Sequence, residues 1–253
     1  MSGGPNGDRS PVAEPRAGDR WFRRFHPADA AAPRLLCFPH AGGSAGSYHW
    51  LSEALSPRVA TIAVQYPGRQ DRHREPVHTD LRALAGLIRA ELAVLGGTPA
   101  FFGHSMGALV AFEVARRLPA PPPVLFVSGR RAPTRPDPDQ RHTKTDREIL
   151  ADVARLGGAD APLLRRPALA RMALPVLRGD YRAVGTYRYL PGPALSCPIV
   201  VLAGDADPMT PLGDALAWTS FGVEGEARVL PGGHFFLESH RERVAGIIRD
   251  RLS

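Results

Sequence analysis

Lysine and cysteine are nearly absent from this sequence of 253 residues. Lys144 is the only lysine among the 32 Lys and Arg residues, and Cys37 and Cys197 are the only cysteines. Each cysteine lies in or beside an apolar run, and the two are too few and too far apart to indicate a disulfide framework or a zinc site. We therefore expect two buried, reduced thiols, no bound metal, and a cytoplasmic protein.

Apolar runs long enough to cross a lipid bilayer are also missing, so no membrane association is expected. The N-terminal stretch MSGGPNGDRSPVAEPRAGDR has no apolar core of the kind that a secretory signal requires. Its polar composition predicts a disordered tail over residues 1–20. Residues 21–253 have the length of one sizeable domain, and a hydrophobic content of 43% is typical of a globular chain.

Net charge is +7, and almost all of the positive charge is arginine. A basic surface can attract nucleic acid, an anionic membrane or an acidic protein. The arginines are scattered, however, and no basic run is interleaved with aromatic residues, so a nucleic acid partner is not expected. Two explanations remain open: a general compositional bias toward arginine, and an acidic protein partner.

Strand and helix patterns alternate along the chain. Short apolar runs that end in turn residues predict six strands, at residues 34–40, 59–68, 99–105, 122–130, 197–205 and 225–233. Apolar residues at helical spacing predict helices at residues 47–55, 81–97, 106–118, 147–158, 167–190 and 237–252. This alternation predicts an α/β protein with a mostly parallel central sheet and helices on both faces.

The alternation is interrupted from about residue 131 to residue 195. This segment opens with a Pro-rich polar stretch and continues with helical patterns, but it contains no convincing strand. A helical insertion between two strands of a parallel sheet lies naturally over the carboxyl ends of the strands, where ligands bind. We therefore predict a helical lid at about residues 131–195.

The pattern Gly103-His104-Ser105-Met106-Gly107 falls between a predicted strand and a predicted helix. Gly-x-Ser-x-Gly in this context is typical of a nucleophile elbow, in which a tight turn exposes the serine hydroxyl at the N-terminus of a helix. Glycine is needed on both sides because side chains there would collide. The context favours Ser105 as a nucleophile, while a plain helix N-cap remains the alternative.

A nucleophilic serine needs a base and an acid that orients the base. His234 follows the sixth predicted strand in a Gly-rich loop, and it is the histidine best placed to act as the base; an ordinary surface histidine is the alternative. Asp205 and Asp207 both follow the fifth strand. We favour Asp207, because the acid must reach from the loop toward the imidazole, whereas Asp205 can simply cap the turn.

Two backbone N–H groups are needed to stabilise an oxyanion. Met106, directly after Ser105, is the expected source of the first. The loop His40-Ala41-Gly42-Gly43 after the first predicted strand is the expected source of the second, with Ala41 as the donor, although a plain Gly-rich turn has the same composition.

Six segments together resemble the stand-alone type II thioesterases that accompany polyketide and non-ribosomal peptide synthases. They are FPHAGGSAGSY, QYPGRQDR, FFGHSMGALVAFEVARRL, PVLRGDYRAVGTYRY, GDADP and GGHFFL. The resemblance covers roughly residues 20 to 250 and implies an α/β-hydrolase fold with a helical lid. It also implies a Ser105–Asp207–His234 triad, oxyanion donors at Ala41 and Met106, and no cofactor other than the phosphopantetheine that the substrate carries.

The implied reaction is hydrolysis of acyl groups from the phosphopantetheine arm of acyl or peptidyl carrier proteins, which clears stalled or mis-primed synthases. Such carriers are generally acidic, which fits a basic enzyme, and lid arginines such as Arg165, Arg166 and Arg171 are candidate contacts. Alternatives on the same fold are a medium-chain fatty acyl-carrier hydrolase and a general serine esterase. A non-catalytic binding protein is the other class, and a monomer is the default expectation.

Overall fold

The computed structural model describes residues 20–135, 140–158 and 161–253. The predicted disordered tail therefore lies, apart from Arg20, outside the described residues. Part of the Pro-rich opening of the predicted lid lies outside them as well.

A seven-stranded sheet forms the centre of the molecule, in the order β1-β3-β2-β4-β5-β6-β7. The strands are β1 Phe22–Arg23, β2 Arg34–Phe38, β3 Ala60–Val64, β4 Ala100–His104, β5 Leu125–Ser128, β6 Ile199–Gly204 and β7 Gly225–Leu230. All neighbouring pairs are parallel except β1 and β3, which pair antiparallel. The mostly parallel sheet is therefore confirmed, and the short edge strand β1 is an addition to the six predicted strands.

Helices connect the strands. They are α1 His49–Leu55, α2 Leu81–Glu91, α3 Met106–Ala115, α4 Asp146–Leu156, α5 Pro167–Gly185, α6 Leu212–Leu216, α7 Phe236–Ser239 and α8 Arg241–Leu252. Short 3-10 turns lie next to several of them, and one, Leu163–Arg165, is separated from α5 by Arg166.

The expectation of one helix over residues 237–252 is wrong, because His240 interrupts the helix and separates α7 from α8. The His240 backbone has φ −125° and ψ 33°, outside the helical region, and its Nε2 lies 2.8 Å from the Pro231 carbonyl oxygen. The predicted helix over residues 167–190 is too long as well, since α5 ends at Gly185. After a turn at Thr186, residues 187–190 are not helical, and Tyr187 and Tyr189 pack against the core.

Alternating side chains of the strands build a core on each face of the sheet. Leu36 and Phe38 of β2 belong to one core, together with residues of α2 and α3. Leu35 and Cys37 belong to the other, together with residues of α1 and α8. Burial of both faces explains why the strands read as continuous apolar runs rather than alternating ones. Cys37 and Cys197 are both free and buried, as expected.

The parallel strands end at one common edge of the sheet. The loops after β2, β4, β6 and β7 carry the residues predicted to form the site. In sheets of this kind, ligands bind outside the carboxyl ends of the strands. Within the described residues, no helix combines the length and the apolar character needed to span a membrane.

Candidate functional site

Ser105 occupies the sharp turn between β4 and α3. Its backbone has φ 55° and ψ −116°, a conformation that L-residues rarely adopt. The turn is held by the Ser105 N–H, which donates to the Ser128 carbonyl at 2.8 Å, and by the Ala108 N–H, which donates to the Ser105 carbonyl. A strained residue that its surroundings hold in place is characteristic of functional sites.

The glycines on both sides of Ser105 are sterically required. A Cβ on Gly103 would lie 2.3 Å from the Gly107 carbonyl oxygen, and a Cβ on Gly107 would lie 1.9 Å from the Phe38 carbonyl oxygen. Both contacts are with backbone, which cannot move aside as a flexible side chain can. The close approach predicted from the sequence motif is therefore present in the structure.

His234 links Ser105 to Asp207. Its Nε2 lies 3.0 Å from the Ser105 Oγ, and its Nδ1 lies 2.8 Å from the Asp207 Oδ2. The other carboxylate oxygen of Asp207 accepts the Met209 N–H at 2.8 Å. All three side chains are buried, at 9% exposure or less, so little bulk water competes for these hydrogen bonds.

Asp205 is not part of this hydrogen-bonded chain. Its Oδ1 accepts the Gly232 N–H at 2.9 Å, which joins the loop after β6 to the loop after β7. Of the two aspartates considered from the sequence, the structure therefore brings Asp207 to His234 and leaves Asp205 as a turn residue.

The predicted oxyanion donors, Ala41 and Met106, both line the cavity at Ser105. The Met106 N–H is the first amide of α3, so it has no acceptor one turn earlier in the helix. In the loop after β2, the Gly43 N–H donates to the His40 carbonyl at 3.0 Å and the Gly42 N–H donates to the Asp180 Oδ2 at 2.7 Å. Those two amides shape the loop, and the role of Ala41 and Met106 as oxyanion donors stays a prediction.

Two further histidines, His40 and His104, surround the site. The His104 ring lies 5.1 Å from the His234 ring and 6.0 Å from the His40 ring, and its Nδ1 is 3.0 Å from the Ser128 Oγ. Burial, with smaller contributions from His234 and His40, lowers the pKa of His104 well below its ordinary value. Burial, followed by His234 and Arg69, lowers the pKa of His40 to about 4. Both rings are therefore neutral at pH 7.

A cavity of about 630 Å³ opens above Ser105 and His234. Most of its surface is apolar. The segment between β5 and β6 supplies one wall through Val153 and Leu156 of α4, Leu164, and Ala173 and Leu177 of α5. The predicted helical insertion therefore faces the nucleophile, and the arrangement suits an apolar acyl chain.

Arg69 and Asp180 are buried charged residues beside the site that are not among the sequence-predicted candidates. They form an ion pair next to the loop that carries Ala41. The available signal was their position inside the segments QYPGRQDR and PVLRGDYRAVGTYRY, which carry the family resemblance. Spacing alone does not reveal that residues 111 positions apart meet. In the described part of the chain, no group of three His, Cys, Asp or Glu residues is arranged to hold a metal ion.

A strained serine after a central strand, a histidine and an aspartate from later loops, and a parallel sheet with helices on both faces are together typical of the α/β-hydrolases. Sequence comparison narrows this class. A thioesterase domain model matches residues 33–252. The chain therefore belongs to the thioesterase family.

Two curated relatives come from Streptomyces. One, named a probable cadicidin biosynthesis thioesterase, is from Streptomyces griseus and is 47% identical over 230 residues, which cover 89% of this chain and 64% of that protein. The chain thus spans slightly less than two thirds of that relative's length. The other, thioesterase PikA5 of Streptomyces venezuelae, is 45% identical over 240 residues, covering 92% of this chain and 85% of that protein.

Among solved structures, the type II thioesterase BorB from the borrelidin biosynthetic cluster is similar over most of its length. It superimposes with a TM-score of 0.86 at 45% sequence identity, covering 93% of this chain and 98% of that one. These similarities confirm the predicted α/β-hydrolase fold and the predicted resemblance to type II thioesterases.

Proposed function

We propose that this protein is a type II thioesterase that hydrolyses acyl thioesters from the phosphopantetheine arm of acyl or peptidyl carrier proteins. The observation that carries the proposal is the hydrogen-bonded chain from Ser105 through His234 to Asp207 at the base of an apolar cavity. Membership of the thioesterase family supports the choice of a thioester as the bond that is cleaved.

In the first half-reaction, His234 Nε2 removes the proton from Ser105 Oγ as the oxygen attacks the thioester carbonyl carbon. The negative charge that develops on the carbonyl oxygen is stabilised by the N–H groups of Met106 and Ala41. The carbon–sulfur bond then breaks, and the imidazolium of His234 delivers its proton to the departing sulfur. An acyl-enzyme on Ser105 and a free carrier thiol are formed.

In the second half-reaction, His234 takes a proton from a water molecule that attacks the acyl-enzyme. The same N–H groups stabilise the second oxyanion, and the proton returns to Ser105 Oγ as the acid leaves. Asp207 holds the His234 tautomer with Nε2 available as the acceptor, and it stabilises the imidazolium. This role follows from its 2.8 Å contact with His234 Nδ1.

The substrate class follows from the cavity and from the relatives. An apolar cavity of about 630 Å³ suits an acyl chain rather than a charged or sugar-like group. PikA5 is named as a thioesterase, and BorB is described as a type II thioesterase from a biosynthetic cluster. By similarity, we assign this chain to the removal of acyl groups from a polyketide or non-ribosomal peptide synthase. Cytoplasmic location, a monomeric state and independence from a cofactor stay predictions.

Mass spectrometry of acyl-loaded carrier proteins tests the proposal directly. We expect the wild-type protein to convert the acyl carrier to the free-thiol form and Ser105→Ala to leave it loaded. Rates on p-nitrophenyl esters and on acyl N-acetylcysteamine thioesters should be measured in parallel. A clear preference for the oxygen ester would overturn the assignment in favour of an esterase. Equal, background rates for wild type and Ser105→Ala would indicate a non-catalytic protein.

A further inference from the structure

A buried ion pair joins α5 to the segment that follows β3. The Arg69 guanidinium contacts the Asp180 carboxylate, and the two residues are 7% and 1% exposed. Burying two charges costs solvation free energy that mutual attraction does not always recover, so such a pair is weak evidence of a stabilising role. The position of the pair beside the Ala41 loop gives a more specific reason for its burial.

Asp180 also holds the loop that carries the proposed oxyanion donor Ala41. The same Oδ2 that contacts Arg69 accepts the Gly42 N–H at 2.7 Å. Gly42 has φ 79°, and α5 packs closely on it, since a Cβ at Gly42 would lie 2.6 Å from a methyl group of Leu177. The amide next to Ala41 is therefore fixed by a side chain and covered by a neighbouring turn of the same helix.

Arg69 is in turn anchored to the body of the protein. Its Nη1 donates to the Pro67 carbonyl at 2.8 Å, and its own carbonyl accepts the Gln65 Nε2 at 3.0 Å. The Gln65 Oε1 accepts the Ala45 N–H at 3.0 Å, which lies just beyond the Ala41 loop. The carboxylate of Asp180 is therefore held at a defined place by groups that do not belong to the insertion.

We propose that Asp180 and Arg69 are positioning residues that hold the Ala41 amide where it can donate to the oxyanion. Through them, the position of this amide depends on the packing of α5 against the loop. This inference rests on the proposed function and concerns the same acyl thioester substrate. When α5 sits on the loop, Asp180 accepts the Gly42 N–H and the donor faces the cavity. When α5 moves away, the Gly42 N–H loses the Asp180 carboxylate as its acceptor. Hydrolysis is therefore limited to the conformation in which α5 packs against the loop.

Three variants separate positioning from simple structural support. Asp180→Asn keeps an oxygen for the Gly42 N–H but removes the negative charge. Asp180→Ala removes the acceptor as well. The double variant Arg69→Met/Asp180→Leu leaves no unpaired buried charge and should fold, because apolar replacement of both partners of a buried pair is often neutral or stabilising. Glu113→Gln is the matched control. Glu113 of α3 is a 2% exposed carboxylate that pairs with Arg116 and Arg117, just beyond the end of the helix, and it lies outside the proposed reaction machinery.

The measurements are kcat and KM on an acyl N-acetylcysteamine thioester, the affinity of an alkyl boronic acid, and the rate of inactivation by a fluorophosphonate. The boronic acid forms a tetrahedral adduct on Ser105 that requires the oxyanion site.

Loss of an oxyanion donor typically lowers kcat by ~10²–10³-fold, so we expect kcat to fall by about 10²-fold in Asp180→Ala and in the double variant. KM should change little, and boronic acid affinity and inactivation rate should fall in parallel with kcat. Asp180→Asn should fall between wild type and Asp180→Ala, and Glu113→Gln should lose thermal stability without these losses.

A double variant with wild-type kcat and wild-type boronic acid affinity would overturn the inference, as would equal losses of kcat in Glu113→Gln. Two of the readouts, boronic acid affinity and fluorophosphonate inactivation, report on the serine site without a carrier substrate. If the wild-type protein reacts with both probes but does not cleave acyl carriers, the proposed function fails while the positioning role remains measurable.

Discussion

Asp205 and Asp207 show how closely spaced residues of one type acquire different tasks. One residue separates them, yet Asp205 accepts the Gly232 N–H while Asp207 contacts His234. The loop that leaves β6 has to extend away from the strand before a carboxylate can reach the imidazole. The first aspartate joins two loops, and the second meets the histidine.

Replacing each aspartate with asparagine therefore has different consequences. Asp207→Asn would favour the wrong tautomer of His234 and lose the charge that stabilises the imidazolium, so we expect kcat to fall by ~10³–10⁴-fold. Asp205→Asn keeps an oxygen that accepts the Gly232 N–H and should retain kcat within about threefold, since that hydrogen bond is local. Steady-state kinetics on an acyl N-acetylcysteamine thioester compare the two. Similar losses in both variants would contradict the assignment of Asp207.

His104 makes a separate prediction, for stability rather than rate. Burial keeps the pKa of its ring well below the ordinary value in the folded protein, and the unfolded chain takes up a proton near pH 6.5. Acidification below about pH 6.5 therefore favours the unfolded state, and the free energy of unfolding should decrease. The lowered pKa of His40, about 4, acts in the same direction.

Urea unfolding between pH 7.5 and pH 5 measures this dependence. His104→Asn should be less stable at pH 7.5 because the ring leaves a gap, but its stability should decrease less steeply with acid than that of the wild type. His73→Gln is the matched control, because it removes an exposed histidine in place of a buried one. The prediction would be wrong if His104→Asn and wild type lost stability in parallel.

Among the elements, those that the sequence predicts most accurately are the central strands. Runs such as RLLCF and IVVLAG are apolar because both faces of the sheet are buried, and the structure places β2 and β6 within them. The edge strand β1 contains only Phe22 and Arg23 and pairs on one side, which is too little pattern to recognise. Helix ends are harder to predict, since His240 interrupts the C-terminal helix through its own backbone geometry rather than through a Gly or Pro residue.

The site residues also fall into two groups, those that a local sequence pattern predicts and those that it does not. Ser105, His234 and Asp207 could be predicted because each follows a recognisable strand and so falls at the common edge of the sheet. The contact between Arg69 and Asp180 could not, because it depends on how α5 lies across the loop after β2. Packing of an inserted helix on a sheet edge is set by tertiary contacts that local patterns do not record.

The α5 helix offers a prediction about acyl-chain length. Ala173 lines the cavity above Ser105, whereas the next residue toward the N-terminus, Met172, is 74% exposed and does not line it. Ala173→Trp should fill part of the cavity and lower kcat/KM for long acyl chains by about tenfold or more, while acetyl and propionyl substrates lose less, because extra side-chain volume in a packed site typically costs ~1–3 kcal/mol.

Met172→Trp is the control for this substitution, since it adds a similar side chain on the exposed face of the same helix. Rates on a series of acyl N-acetylcysteamine thioesters give the chain-length profile of both variants. We expect the Met172→Trp profile to match that of the wild type. An unchanged profile in Ala173→Trp would show that the acyl chain lies elsewhere.

At the scale of the whole molecule, exposed arginines lie both on the segment that forms a cavity wall and far from the cavity. Arg165, Arg166 and Arg171 are exposed near the start of α5, on the segment that forms one cavity wall. Arg178 on the same helix is paired with Asp146. In contrast, Arg89 lies in the last turn of α2, which leads into the start of β4 and therefore lies toward the opposite edge of the sheet.

Reversing the charge of the α5 group tests whether an acidic carrier protein approaches from the lid side. We expect the triple variant Arg165→Glu/Arg166→Glu/Arg171→Glu to raise KM for an acyl carrier by about tenfold, because charges at the rim of an interface act mainly on the association rate. Its kcat/KM on an acyl N-acetylcysteamine thioester, which has no carrier surface, should stay within about twofold of wild type.

The control variant Arg89→Glu should leave both the KM for the acyl carrier and the kcat/KM for the thioester unchanged. Added salt should weaken the wild-type preference for the carrier substrate, since exposed charges are screened beyond about 10 Å at 0.1 M ionic strength. Equal KM values for the triple variant and wild type at low salt would mean that the net charge of +7 reflects composition rather than a docking surface on α5.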